Sequence, residues 1–499
     1  MEKKFAVIDL GSNSVRMIIM KVYRDRSYKM IDHAKEMVRL SEGMGEDNTL
    51  KPDAMRRTLH TLKLFKKSIA VHAVDQVFTI ATAAVRNASN QRFFLDKMKR
   101  ETGFDFDVIS GDQEGYYDYL GVINTIQIDD CVIIDTGGAS TELVLVKNRQ
   151  VENVISLPYG AVVLTEKFAA KHENAQAAVE KFMEEQFNEI AWLEAAAGLP
   201  VVGLGGSIRT LAKIGRKENG FVIETLHNYE MSLRKVASTY RKVVDTEVQD
   251  RRYIPGVAKE RGDIIAAGLA PVKVLMKILH SDKLIISGNG LREGVFYKNY
   301  LKGCKYRIQD VLTHSIDNIL KNYDANMQHC YHVQKLALSL FDQTQTLHGL
   351  GAEERRLLGA AALLHDIGMY VDYYNHHKHG FYLILNTRLY GLCHRELVMC
   401  AFIVGMHRIT ELKQDWKEYK AIIEKDDYEM IKKLALFVRL AEKLDRNEYG
   451  SVDDIECCIT DDSIQMMLKT NYDSDLEIAV AMKNEKAFEK VFDRKLCIV

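Results

Sequence analysis

Two stretches of this chain repeat one design that few folds can accommodate. FAVIDLGSNSVRMIIMKVY (residues 5–23) and CVIIDTGGASTELVLVKN (residues 131–148) each set an aspartate, glycine and hydroxyl residues between two apolar runs that read as buried strands. Glycine lets turn N–H groups approach an anion closely, because no Cβ intervenes. Successive turn N–H groups together with Ser/Thr hydroxyls make a concave seat for phosphate oxygens. The strand-end aspartate suits Mg²⁺, which keeps several waters and takes one or two carboxylates alongside phosphate. Two such hairpins far apart in the chain predict two related half-domains facing each other across a cleft.

The surrounding pattern agrees. VFTIATAAVR, LPVVGLGGSIRTLAKI and KLIISGNGLREGVFYKNYL each read as a strand passing through a small-residue turn, the last two into a helix. NQRFFLDKMKRETG reads as a helix closed by Gly103, and FDVISGDQEGYYDYLGVINTI as a strand, a turn at Gly111 and Asp112, and a helix. Strands alternating with helices predict an α/β fold whose sheets are covered by helices. After Gly303 the apolar spacing becomes helical up to about Asp445. The last stretch returns to short runs, IECCIT, IQMMLKT and LEIAVAMK, which predict a small terminal sheet. A chain of 499 residues exceeds one core, and the expected division is 1–120, 121–304, 305–450 and 451–499.

Hydrophobic residues make up 47%, and the formal net charge of −1 provides no global field for polyanions, so any polyanion site is a local groove. The eight cysteines form no CxxC pair and read as reduced thiols. No apolar run approaches a membrane span. The expected setting is the cytoplasm, with no membrane and no nucleic-acid partner.

The paired turns resemble the actin/hexokinase superfamily of phosphate-binding folds. DLGSNS, ATAAVRNASN, VISGDQEG, IDTGGASTEL, GLGGSIRTL, RGDIIAAGLA and SGNGLREGV, in that order, resemble one branch of it, the exopolyphosphatase/guanosine pentaphosphate phosphohydrolase (Ppx/GppA) family. That resemblance implies two actin-like (RNase H-like) half-domains around a phosphate cleft, then a helical domain and a small C-terminal α/β subdomain. It implies that Glu114, in the place of the second acid of the family's I-S-G-x-E-E-A segment, orients and deprotonates the attacking water. A carboxylate suits that task, since phosphoanhydride hydrolysis needs a base within reach of one water and little covalent help. It further implies that Asp135, with Asp9 and Glu142, arranges Mg²⁺. Phosphates would be bound by Gly11, Ser12, Asn13 and Ser14, by Gly137, Gly138, Ser140 and Thr141, and by Gly205, Gly206 and Ser207. Arg86 would pair with a phosphate; Arg16 and Arg292 are further arginines that either do the same or form structural ion pairs.

The chain departs from the family pattern at Gln113, where a glutamate is usual, at Ala139, where a third glycine is usual, and at Gly288–Asn289, where Asp-Gly is commoner. Ala139 keeps its N–H but resists positive φ, whereas Asn289 tolerates left-handed geometry.

The helical region carries HCYHVQKLA, LLHDIG, NHHKHG, VGMHR and RLAEKLDR. A histidine, an adjacent His-Asp pair and a distant aspartate resemble the HD metal-dependent phosphohydrolases. That resemblance implies a site of His329, His365, Asp366 and Asp445 for Mn²⁺, Fe²⁺ or Mg²⁺, with His379 and His407 completing a second metal. The reading favoured by all these features is a Mg²⁺-dependent exopolyphosphatase, expected to be a homodimer, acting on inorganic polyphosphate or, as its sibling, on guanosine pentaphosphate. A non-hydrolytic sensor, an HD phosphodiesterase and, last, a sugar kinase are the rival classes.

Overall fold

The computed structural model describes residues 2–45, 47–168, 175–303 and 305–499; Cys304 lies outside the described residues. The chain forms two compact units. The first comprises residues 1–220 and 224–309, the second residues 221–223 and 310–499.

The first unit contains two sheets that repeat one topology. The first sheet runs in the order β3-β2-β1-β4-β5, with β1 Lys3–Leu10, β2 Ser14–Val22, β3 Tyr28–Met37, β4 Gln76–Ala81 and β5 Asp107–Val108. The second runs β10-β11-β9-β6-β7-β8, with β6 Cys131–Thr136, β7 Thr141–Lys147, β8 Gln150–Leu157, β9 Val201–Leu204, β10 Tyr229–Met231 and β11 Leu284–Ile286. In both, an antiparallel three-strand meander is extended by two strands parallel to its first member, and the second sheet adds β10 antiparallel at its edge. The two hairpins are therefore structural equivalents. Gly11 N–H donates to Ser14 O at 3.1 Å, and Gly137 N–H donates to Ser140 O at 3.0 Å. Asp9 pairs in register with Arg16, and Asp135 with Glu142.

Period-two alternation decides which way the strand-end carboxylates point. On β1, Ala6, Ile8 and Leu10 join the core beneath the helices Pro52–Val71 and Gln91–Thr102, with Leu59, Leu62, Phe65, Phe94 and Met98. Asp9 thus faces the other way. On β6 and β7, Cys131, Ile133, Val144 and Val146 pack with Tyr119, Val122 and Ile123 of the helix Gly111–Ile123. Asp135 and Glu142 continue those rows and look toward the start of that helix.

Helix punctuation follows local chemistry. The helix Gln91–Thr102 closes at Gly103, which takes φ +76°. Gly111 and Asp112, read from sequence as a turn, are instead the first helical residues. Ser110 caps them: its hydroxyl accepts from Gln113 N, while Gln113 Oε1 accepts from Ser110 N.

The second unit packs the helices Met327–Gln343, Ala352–Leu364, His394–Met406 and Lys425–Leu444 around Leu336, Leu340, Leu358, Phe402 and Phe437. A three-stranded sheet, β12 Val452–Ile459, β13 Ser463–Thr470 and β14 Lys495–Ile498, shares that core through Val452, Ile455, Ile464 and Met466. LEIAVAMK, expected as a strand, is the helix Asp475–Met482. Its Leu, Glu, Ala and Met are strong helix formers, and that propensity overrides the apparent alternation. The seven described cysteines are all free thiols. Among the described residues no helix is long and apolar enough to cross a membrane.

Candidate functional site

A cleft of about 860 Å³ lies between the two hairpins of the first unit. Its lining includes Asp9, Gly11, Ser12, Asn13, Ser14 and Arg16 from the first hairpin, and Asp135, Gly137, Gly138 and Ser140 from the second. Glu114, Gly205, Gly206, Arg209, Arg261, Arg292 and Glu293 also line it. Most of the sequence-predicted residues thus converge on one cavity. Thr141, Glu142, Ser207 and Arg86 stand behind it. The Thr141 hydroxyl donates to Tyr159 O at 2.7 Å, and the Ser207 hydroxyl packs beside Gly268.

Carboxylates gather in and behind the cleft. Glu114 and Asp118 lie four residues apart on one helix face, facing Glu142 and Asp135 on the two strands. Arg86 Nη1 donates to Glu114 Oε2 at 3.1 Å and to Ile109 O at 2.9 Å. Ser156 Oγ donates to Glu142 Oε1 at 2.8 Å. Neither carboxylate oxygen of the buried Asp118 has a hydrogen-bond partner, nor does Asp135 Oδ1. Burial pushes every member of the group toward its neutral form. Glu142 is raised to about 7 by burial and then by Asp135. Glu114 is held well above the carboxylate range by burial and Glu142, with Arg86 opposing. Asp118 is raised by burial, Asp135 and Glu114, and Asp9 and Asp135 are raised by burial against the pull of arginines. Buried, crowded and orphaned carboxylates are the donor set a divalent cation requires, so these residues fit Mg²⁺.

Arginines share the cleft with these carboxylates. Arg209 is pushed down to about 9 by burial and by Arg16, and Arg261 to about 10 by the same two causes. Both remain charged at neutral pH, as mutually repelling guanidiniums that a polyanion would relieve. Two glycines make this possible. Gly205 takes φ +87°, and a Cβ there would lie 2.6 Å from Asp135 Oδ1. A Cβ on Gly206 would lie 2.3 Å from the Arg261 guanidinium, so the missing side chain is the space the arginine occupies.

The departures from the family pattern resolve physically. Gln113 is the return half of the capping box, a role open to Gln or Glu. Ala139 is buried without positive φ, so the turn needs no third glycine. Asn289 does not take left-handed geometry either: Ser287 Oγ donates to Asn289 O at 2.5 Å and accepts from Asn289 N at 3.1 Å, which holds the turn. Asp118, Arg209 and Arg261 escaped sequence reading. Asp118 was findable as the i+4 partner of Glu114, whereas the two arginines look like surface charges until the strands are placed.

The second unit gathers a separate set of ligand atoms. His329, His365 and Asp366 form one triad, and Asp366, His376 and His407 another. His329 Nε2 lies 3.2 Å from His365 Nε2, and His376 Nε2 3.1 Å from His407 Nε2. Asp445, expected as a fourth ligand, stands behind His329: its Oδ2 lies 2.7 Å from Nδ1, and its Oδ1 accepts from Gly450 N. His379, expected in the second site, is replaced by His376. Asn375 takes φ +59° immediately before the helix His376–Asn386, and that start buries His376 in the cluster while His379 is only partly buried.

Residues 18–303 match the Ppx/GppA phosphatase family, and residues 311–484 match Ppx/GppA phosphatase, domain III. A curated guanosine-5'-triphosphate,3'-diphosphate pyrophosphatase of Pseudoalteromonas translucida (strain TAC 125) is 29% identical over 416 residues, covering 81% of this chain and 80% of that protein. The solved Aquifex aeolicus member of the Ppx/GppA family is 31% identical with a TM-score of 0.53, covering 61% of this chain and 99% of that one. An exopolyphosphatase structure from Cytophaga hutchinsonii is 24% identical with a TM-score of 0.57, covering 61% and 100%, a likeness of fold.

Proposed function

The chain belongs to the Ppx/GppA phosphatase family, a family of hydrolases, and on that ground we propose that its first unit is an exopolyphosphatase that removes the terminal phosphate of inorganic polyphosphate. The observation carrying this choice is the group of guanidiniums, Arg16, Arg209, Arg261 and Arg292, lining one cleft. Four guanidiniums match the charge of a run of linked phosphates.

Glu114 takes the proton of the attacking water. Its raised pKa brings it toward working pH, where a base is most effective, and Arg86 favours its charged form. Attack forms one P–O bond at the terminal phosphorus and breaks the bridging anhydride bond, leaving inorganic phosphate and a chain one unit shorter. The turn N–H groups around Gly11 and Gly137, and the hydroxyls of Ser12 and Ser140, hold the transferring group in line. Asp135, Asp9, Asp118 and Glu142 would hold Mg²⁺, which supplies neutralisation of charge developing on the phosphoryl oxygens.

The second reading, release of the 5′ γ-phosphate of guanosine pentaphosphate, is favoured by the activity for which the Pseudoalteromonas relative is named. The two share one anhydride chemistry. The deciding assay measures phosphate release from both substrates, singly and in competition. Polyphosphate should be preferred, and Glu114→Gln should lower kcat on it by about 10²–10⁴-fold. Near-normal rates in that variant would remove the base assignment, and preference for the nucleotide would select the second reading.

A further inference from the structure

The second unit contains a cavity of about 680 Å³ that no step of that reaction uses. We propose that it binds a small amphiphilic anion, a molecule with an apolar body and a carboxylate or phosphate head.

Three elements build the cavity. The helix Lys425–Leu444 contributes Glu429, Lys432, Lys433, Leu436 and Arg439. That spacing is a single stripe of the helix, and a stripe set against a neighbouring helix is ordinarily apolar. Here only Leu436 is. The helix Glu485–Phe492 buries Phe488 and Phe492 in the core, where the Phe492 ring lies 5.4 Å from Phe437. Its adjoining face brings Ala487, Lys490 and Val491 to the cavity. Ala487 and Val491 are short, so this helix leaves the gap unfilled. Met406, the last residue of the helix His394–Met406, and Glu411 beyond it supply the remaining wall.

Charge specifies the head of the ligand. Four cations line the cavity, Lys432, Lys433, Arg439 and Lys490, against two carboxylates, Glu411 and Glu429. Lys432 Nζ lies 2.8 Å from Glu429 Oε1. Among the described residues, Lys433 and Lys490 form no ion pair with either carboxylate. Arg439 is the interior cation, nine-tenths buried. Its Nη2 donates to Met406 O and Ile409 O, while its Nε has no hydrogen-bond partner. Burial lowers its pKa to about 10 against the pull of Glu442, so it stays charged at neutral pH. Glu442 is itself held by Lys443 at 2.5 Å. A buried guanidinium short of partners is costly, and an anion in the cavity relieves that cost. Met406, Leu436, Ala487 and Val491 specify the body: they give nothing to a bare inorganic ion and much to a hydrocarbon or ring. A largely apolar wall with a few convergent charges is the usual make-up of a small-molecule site.

The test uses the full chain with Trp192→Phe, which leaves Trp416 as its one tryptophan. Trp416 stacks on Tyr428 at 5.6 Å, and Lys432 Nζ lies 5.0 Å from the Tyr428 ring, so the reporter sits beside the cavity. The probe is 8-anilinonaphthalene-1-sulfonate, an apolar anion, read by its emission on excitation of Trp416. That emission should saturate. Submicellar decanoate and decyl phosphate should displace the probe, the stronger of them naming the head group, while decanol and inorganic phosphate should not. Lys490→Gln should weaken binding about threefold and Glu411→Gln should tighten it by a similar factor. Both positions are exposed, and opposite signs from two single-charge changes cannot arise from unfolding. Arg439→Gln should weaken binding about tenfold or more, and Ala487→Phe should abolish it by filling the space, with circular dichroism controlling for folding. Displacement by decanol as readily as by decanoate would overturn the site. So would an affinity that Lys490→Gln and Glu411→Gln move in the same direction, or emission that survives a folded Ala487→Phe. None of these results bears on the assignment of the first unit.

Discussion

Glu142 gives the most direct measure of how the carboxylate group beside the cleft is built. Its carboxyl rises from 4.5 to about 7 in the folded chain, through burial and then the neighbouring Asp135. The folded state therefore binds this proton more tightly than the unfolded chain does. The resulting stabilisation is fully present below about pH 4.5, declines as pH rises between the two values, and is gone above about 7. At about 1.4 kcal/mol per pH unit, the wild type should lose about 2.5 kcal/mol from this group between pH 5 and 8. Glu142→Gln keeps an acceptor for Ser156 but has no proton to lose. The stability of the variant relative to wild type should therefore grow by about 2.5 kcal/mol over that range. Urea unfolding followed by Trp192 fluorescence, in a Trp416→Phe background so that only the first unit reports, measures it. Saturating Mg²⁺ at pH 8 should shrink the difference, because a cation favours the charged carboxylate. A difference that is flat with pH would refute the reasoning, and one that widens with Mg²⁺ would remove Glu142 from the cation site.

Arg86→Met removes the guanidinium that holds Glu114 toward its charged form, so the acidic limb of the pH–rate profile should move up by about one pH unit or more; an unmoved limb would separate Arg86 from the base. Gly206→Ala forces the Arg261 guanidinium aside and should raise KM for polyphosphate about tenfold, with a smaller change in kcat. Combined with Arg261→Ala it should add little, since both changes remove one contact. Gln113→Glu preserves the capping box and should leave both stability and phosphate release within about twofold of wild type, because either side chain closes the box.

The paired hairpins were legible because each sets an aspartate, glycine and hydroxyl residues in a tight turn between two apolar runs, and the duplicated sheet followed from finding two of them. Gly103 was legible for a similar local reason: a helix ending on glycine announces itself. Residues whose meaning depends on where an element begins were not. Among the neighbouring histidines 376, 377 and 379, only the left-handed Asn375 decides which one enters the cluster. Asp118 could be found as the i+4 partner of Glu114, but its meeting with Asp135 and Glu142 follows only once its helix is placed against β6 and β7. Arg209 and Arg261 lie in motifs whose glycines and strands drew the reading, and only the close approach of the Arg261 guanidinium to Gly206 shows it as a wall of the cleft. LEIAVAMK was ambiguous in principle, since eight residues of mixed alternation cannot outvote helix formers.

The register partners of the two strand-end aspartates give the cleft a polarity. Opposite Asp9 stands Arg16; opposite its counterpart Asp135 stands Glu142. Two identical halves would have made a channel indifferent to the way a linear anion was threaded. With one half carrying the opposite charge, the proposed reaction would seat a cation-escorted terminus among the carboxylates and the length behind it among the guanidiniums. On the proposed reaction, interior anhydride bonds never reach Glu114, and degradation runs strictly from the tip. A homopolymer with no intrinsic direction acquires one from its enzyme, and the number of bonds cut per encounter becomes a question of how quickly the arginines let the chain advance.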